Sequence, residues 1–261
     1  MKDFPLIALL TDFGPGSHYI AAMKGQILSV HPSARILDIS HTVTPFNITE
    51  AAYILWSVCR SFPKGTIFIA VVDPGVGSNR KILLAESSRY QFLVPDNGIL
   101  RFVMDTLPII RMREVRNEAY FSKHVSPTFH GRDIFAPVAA HLSIGISPRK
   151  IGPLVKPQIR PKSSIFKLRK NPGSYNGEII YIDAFGNIIT NVILKNISPD
   201  ISVKIGDRII RSSYDTYAHA PETLPFFLVG SSQLLEISIR NGNAASALNA
   251  KIGQKVIIRV S

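Results

Sequence analysis

The segment VVDPGVGSNR, residues 71–80, sets a carboxylate and a guanidinium seven residues apart. Asp73 closes the hydrophobic run 67–72, and Pro74, Gly75 and Gly77 break the chain before Arg80. Such a pair either pins a loop or takes part in chemistry; the segment alone leaves both open. In TDFGPG, residues 11–16, Asp12 falls between a predicted strand and a predicted helix. A carboxylate there can accept two hydrogen bonds from a ribose diol while the glycines admit a ligand to the backbone. The alternative is an Asp that caps a turn. The spacing is not the G-x-G-x-x-G of a dinucleotide site.

Two further segments carry reactive or recognition groups. SPTFHGRDIF, residues 126–135, puts His130, Gly131, Arg132 and Asp133 at a predicted helix N-terminus. Free backbone N–H groups there favour an anion and keep His130 neutral, able to accept a proton. The alternative is a capping segment with a surface histidine. IDAFGNIITN, residues 182–191, reads as strand, turn at Gly186, strand. Phe185 offers a flat face, and the Asn187 amide can pair a purine edge; an ordinary hairpin fits equally. Ser231, Ser232, Glu236 and Asn243 follow in a stretch that reads as strand, turn and small-residue packing unless a ligand is present.

The elements that must position these groups come in two styles. Up to about residue 155, apolar strands alternate with helical periods. PLIALL, ARILDIS, GTIFIAVVD, KILLAE, QFLVP and IIRMREV are extended. SHYIAAMKGQILSV, ITEAAYILWSVCRSF, GILRFVMD and DIFAPVAAHLSIG are helical, the second with a cap near residues 47–49. Pro137 must lie in the first turn of its helix, so that helix is expected to begin near Asp133. Alternation predicts an α/β N-terminal domain, residues 1–155, with a largely parallel sheet. Ligands of such sheets sit beyond the carboxyl ends of the strands, where Asp12 and Asp73 fall, with Asp38 at or near another such end. Residues 156–174 read as a Pro-, Lys- and Ser-rich linker. Residues 175–261 then show short strands between turn residues, predicting a smaller all-β, barrel-like C-terminal domain.

Bulk properties narrow the class. With 261 residues, 46% hydrophobic and 18% charged, the chain can bury a sizeable core. No apolar run approaches the length of a membrane span, and PLIALL is too short for a signal core, so a cytoplasmic protein is expected. Cys59 is the single cysteine, which excludes a disulfide framework or thiolate cage, and the seven histidines lack metal-ligand spacing. The net charge is +12, much of it in Lys156, Arg160, Lys162, Lys167, Arg169 and Lys170. Aromatic residues do not alternate with the basic ones, so nucleic acid is not favoured over a solvated basic connector. The G-x-S-x-G, H-E-x-x-H and Walker A motifs are absent.

Taken together and in order, TDFG, MKGQI, FPKGTIFIAVVDPGVGSNR, PDNGIL, PTFHGRDIFAPVAAHL and IDAFGNIITN resemble the S-adenosylmethionine hydroxide adenosyltransferases, relatives of the fluorinases and chlorinases. The resemblance spans nearly the whole chain. It implies hydrolysis of S-adenosylmethionine to adenosine and L-methionine, with no metal or redox cofactor. It also implies a homotrimer with active sites between the N-terminal domain of one subunit and the C-terminal domain of the next. The family's catalytic Asp, Arg and His fall on Asp73, Arg80 and His130, and its ribose-binding Asp on Asp12. Contacts to adenine and methionine fall on Asp183, Phe185, Asn187, Ser231 and Glu236, with backbone near Ala244; Phe46 matches a pocket wall. Ser17 stands where the family usually has Asp, near the methionine end, and Gly230 where an Asn-Ser pair is common. Gly131 and Asp73 stand where the fluorinase has a halide-binding Ser and a Tyr, which argues against a halide-using reaction. The alternatives are a halide-using, chlorinase-like S-adenosylmethionine adenosyltransferase and a non-catalytic adenosine- or nucleic-acid-binding protein.

Overall fold

The computed structural model describes residues 5–156, 166, 169–171, 173–194 and 201–260. The chain divides into two compact units, Met1–Lys162 and Ser163–Ser261. Most of the predicted linker, residues 156–174, lies outside the described residues.

In the first unit, β1 (Ile7–Thr11), β2 (Ile36–Ser40), β3 (Ile67–Val71), β4 (Ile82–Ser87), β5 (Gln91–Pro95) and β6 (Ile109–Glu114) form one sheet, in the order β2-β1-β3-β5-β4-β6. The β2-β1-β3-β5 pairs are parallel, while β4 pairs antiparallel with β5 and β6. β1 and β3 are buried along their whole length, as the continuous apolar runs required. The β3 ring Phe68 stacks on Phe92, with centroids 5.1 Å apart, and takes Phe62 and Tyr90 edge-on.

The first two helices start at side-chain caps, of which the sequence reading named the one near residues 47–49. α1 (His18–Val30) is capped by Ser17, whose hydroxyl accepts from Tyr19 N, and it buries Ile20, Met23 and Ile27. α2 (Ile48–Cys59) is capped by Asn47 through Glu50 N. α3 (Arg101–Thr106) is short. The helix ending in α4 (Ala136–Ser143) departs from expectation. Pro137 lies in the first turn of α4, as expected, but the helical backbone starts ahead of Asp133, in a π turn (Gly131–Phe135) where Ala136 N bonds Gly131 O. The physical reason is Pro137, which has no N–H for the carbonyl four residues back, that of Asp133. Ser122 N donates to that carbonyl instead, at 2.8 Å. The wide turn therefore extends the helix back to His130 while tolerating the proline. Asp38 also departs: it lies within β2, paired with Lys24 at 2.6 Å and His41 at 3.1 Å.

The second unit is antiparallel. It holds β7 (Arg169–Asn171), β8 (Ser174–Ile182), β9 (Ile188–Ile193), β10 (Ile201–Ile205), β11 (Arg208–Ile210), β12 (Pro225–Val229), β13 (Leu234–Ile239) and β14 (Lys255–Val260), with the short α5 (Ala244–Ala247). The path is β11-β10-β14-β8-β9-β13-β12, with β7 on β8. Its ends approach through Phe227 N to Ser212 O and Tyr214 N to Phe227 O, giving a nearly closed, barrel-like sheet. No helix among the described residues is long and apolar enough to cross a membrane.

Replacing Phe68 with Ala removes a fully buried ring from β3, the strand that leads to Asp73. Denaturant unfolding of that variant is expected to show a loss of about 3–5 kcal/mol.

Candidate functional site

β3 delivers Asp73 to the carboxyl edge of the sheet, and the next seven residues return Arg80 to it. Val76 N bonds Asp73 O, Ser78 N and Oγ bond Gly75 O, and Arg80 N bonds Ser78 Oγ. Arg80 then grips Asp73 side-on. Nε donates to Oδ1 at 2.9 Å, and Nη2 faces Oδ2 as an ion pair, both side chains being nearly buried. The same Nη2 lies 3.0 Å from Nδ1 of His130. Gly77 lets the two loops meet: its φ is +78°, and a Cβ there would stand 2.5 Å from Pro127 O, on the segment leading to His130. The three residues singled out by sequence thus converge.

The chemistry of the donors sets the state of His130. A guanidinium only donates, so Nδ1 must accept, and the neutral imidazole carries its proton on Nε2. Burial, and next the Arg80 charge, hold its pKa below the usual imidazole value, against the opposing pull of Asp73 and Asp133. His130 is therefore neutral, as expected from the sequence, with Nε2–H on its open side. Arg132 and Asp133 form no anion site. Asp133 is buried, accepts from Ser126 N at 2.8 Å and is clasped by Arg132 at 2.6 and 2.9 Å. Although burial alone raises its pKa, Arg132 and the Ser126 N–H outweigh that and lower it.

Asp73 and His130 lie on the wall of a cavity of about 350 Å³, with Asp12, Phe46, Phe129 and Tyr19. Arg80 is not on that wall; it stands behind the other two. Asp12 Oδ2 accepts from Phe46 N at 2.9 Å, so one oxygen of the expected diol acceptor already holds the loop. This bond helps keep Phe46 in the left-handed region, at φ 66° with 68% exposure, as a cavity wall. Sequence reasoning missed Phe13, Tyr19 and Phe129, which meet edge-on with centroids 4.9–5.9 Å apart. Their signal was present in TDFG, SHYI and PTFHG, whose aromatic letters went unused.

In the second unit the β8–β9 turn is built on Asp183. Its Oδ1 accepts from Phe185 N and Asn187 N, and its Oδ2 from Asn187 Nδ2, each at 2.9 Å. Gly186, at φ +83°, lies against Asn243, which caps α5; a Cβ would fall 2.2 Å from the Asn243 amide carbon. Phe185 is left 77% exposed. Asp183, Phe185 and Asn187 line a second cavity of about 720 Å³ together with Tyr217 and Arg240.

Ser231, Glu236 and Ala244 do not line that cavity. Ser231 is exposed in the turn between β12 and β13, and Ala244 is fully buried at the start of α5. Glu236 is buried and reaches the wall only through Tyr217, whose hydroxyl donates to Oε1, as does Ser238 Oγ. Burial raises its pKa, and those two donors only partly offset this. Tyr217 was missed because it sits in a short 3₁₀ turn with no periodic signal.

Comparison with known proteins agrees with the motif order. The SAM hydroxide adenosyltransferase N-terminal and C-terminal domain models match residues 7–152 and 177–257. The chain is 35% identical to an (R)-S-adenosyl-L-methionine hydrolase of Methanocaldococcus jannaschii, over 95% of this chain and 94% of that protein. It is 32% identical to a hydrolase of the same name from Thermus thermophilus, over 96% and 98%. A crystal structure of a conserved Thermotoga maritima protein superposes with a TM-score of 0.90 at 33% identity, covering 97% of this chain and all of that one.

The Arg80 contact predicts a measurable titration. By ¹⁵N NMR, His130 is expected as the Nε2–H tautomer with a midpoint below the ordinary 6.5. An Arg80→Gln variant is expected to titrate at higher pH than the wild type, because the cation opposing imidazolium is gone. The folded pKa is depressed, so this group's contribution to stability is present above the ordinary imidazole range. It is lost as pH falls through the depressed value.

Proposed function

The chain belongs to the SAM hydroxide adenosyltransferase family, and from that membership we propose that it hydrolyses S-adenosyl-L-methionine to adenosine and L-methionine. The observation that carries this reading is the meeting of Asp73 and His130 on one cavity wall with Arg80 bonded to both. In the proposed reaction a water accepts from His130 Nε2–H and donates to Asp73, which aims a lone pair at ribose C5′. The C5′–O bond forms as the C5′–S bond breaks, and both electrons of that bond leave with sulfur. The leaving group is the neutral thioether of methionine, so no acid is needed there. The water's surplus proton passes to Asp73 and on to solvent. Arg80 fixes the carboxylate and the imidazole tautomer from behind. The scheme needs no metal or redox cofactor, because the sulfonium is already activated.

Recognition is proposed to follow the chemistry of the walls. Asp12 takes a ribose hydroxyl with its remaining oxygen, Phe46 closes the side, and the Phe13–Tyr19–Phe129 corner faces the sulfonium cation. Asn187 and Phe185, braced by Asp183, read the adenine, and Tyr217 adds a second aromatic group. Ser231, Glu236 and the backbone near Ala244 serve the methionine and adenine ends, Glu236 through Tyr217. The proposed assembly is a homotrimer that pairs the first unit of one subunit with the second unit of the next, a reading supported by the water-handling and ribose groups lying in the first unit and the adenine groups in the second. The proposed setting is the cytoplasm, in keeping with one free, buried cysteine. A halide nucleophile fits poorly, since the Asp73 carboxylate on the wall repels an anion.

Incubating the purified chain with S-adenosylmethionine in H₂¹⁸O is expected to give L-methionine and adenosine labelled at the 5′ oxygen. High chloride is expected to give no 5′-chloro-5′-deoxyadenosine. His130→Ala is expected to lower the rate by about 100-fold or more. Failure of the wild type to exceed that variant sinks the proposal, and light scattering that gives a mass other than three chains sinks the trimer.

A further inference from the structure

The sequence PDNG at residues 95–98 takes no part in the reaction scheme, yet it lies where both members of the ion pair leave the sheet. β5 sits between β3, which runs into Asp73, and β4, which starts two residues after Arg80. The β3–β5 ladder runs only as far as Ile69 opposite Leu93. Pro95, which ends β5, has no N–H to carry it further. The side chain of Asn97 takes over: its Nδ2 donates to Val72 O at 2.8 Å, and its Oδ1 accepts from Ile99 N at 3.2 Å, which fixes the amide's orientation. Val72 is fully buried, and its carbonyl shares a rigid peptide plane with Asp73 N. On the other flank, Asp96 N donates to Lys81 O at 2.9 Å, immediately after Arg80.

We infer that Asn97 is a positioning residue for the reaction, and that the turn at residues 95–98 sets the Asp73–Arg80 geometry by holding the peptide groups on either side of the pair. The inference rests on the reading that Asp73 and His130 handle the attacking water. One turn thus holds both flanks: the Asn97 amide orients the peptide entering Asp73, and the Asp96 N–H holds the Lys81 carbonyl, one residue beyond Arg80. A carboxylate displaced by an ångström forfeits in-line attack without affecting how Asp12 and the aromatic walls bind the nucleoside.

The experiment compares Asn97→Asp, Asn97→Ser and Asp73→Asn with the wild type, by steady-state kinetics on S-adenosylmethionine and by calorimetric titration with adenosine. Asn97→Asp keeps the acceptor for Ile99 N and removes the donor to Val72 O; Asn97→Ser removes that donor without introducing a charge. Both are expected to lower kcat by at least about 10-fold while KM and adenosine affinity stay within about twofold of wild type. Wild-type kcat in both, or a fall in kcat matched by equal losses in KM and adenosine affinity, overturns the positioning role. If Asp73→Asn is inactive while both Asn97 variants are fully active, this inference fails alone. If Asp73→Asn is as active as the wild type, the underlying reading fails and takes the inference with it.

Discussion

A guanidinium cannot accept a hydrogen bond, and that restriction at Arg80 organises the first unit. With Nε and Nη2 turned to Asp73, and Nη2 also reaching His130, each partner's state follows. The carboxylate is held in place, and the imidazole is forced to accept at Nδ1 and to offer Nε2–H to the cavity. Burial makes the arrangement one-sided, because an unpaired charge in this pocket would be costly. A water between the two wall residues meets a fixed acceptor and a fixed donor, an arrangement suited to aiming a nucleophile rather than storing an anion.

The fold converts that local bond into a site. β3, buried throughout, sets the height at which Asp73 leaves the sheet, and the stacked turns of residues 73–80 return Arg80 to it. His130 comes from far along the chain, and its approach depends on two compromises. Gly77 accepts the carbonyl of Pro127 where any side chain would collide. The π turn absorbs the missing N–H of Pro137 and extends the helix back to His130. In the second unit, Asp183 and Gly186 shape a turn that presents Phe185 and Asn187. There the arrangement of the two side chains is a by-product of turn chemistry, since the carboxylate that shapes the loop also braces the amide.

The parts legible in sequence were those with local signals. The alternating apolar runs located every strand of the first sheet, and Asn47 caps α2 within the range its type and position implied. The pairing of Asp73 with Arg80 was visible because a strand end, two glycines and seven residues constrain the geometry strongly. What was not legible depended on distant parts of the chain. The π turn needs Ser122 to accept the consequence of Pro137. The placement of Arg80 behind the wall depends on His130 arriving from fifty residues away. Tyr217 enters only through its bond to Glu236, nineteen residues on. Ser17, a departure from the family pattern, proves to be a helix cap, a role its letter and position already allowed.

The central claim is that the fork of Arg80, not its charge alone, makes the site work. An Arg80→Lys variant keeps the charge and loses the planar double contact. Single-turnover measurement on S-adenosylmethionine, alongside adenosine affinity, separates the two. The account predicts a loss on the order of 100-fold in the chemical step with adenosine binding unchanged. A lysine variant that hydrolyses S-adenosylmethionine at the wild-type rate would contradict it.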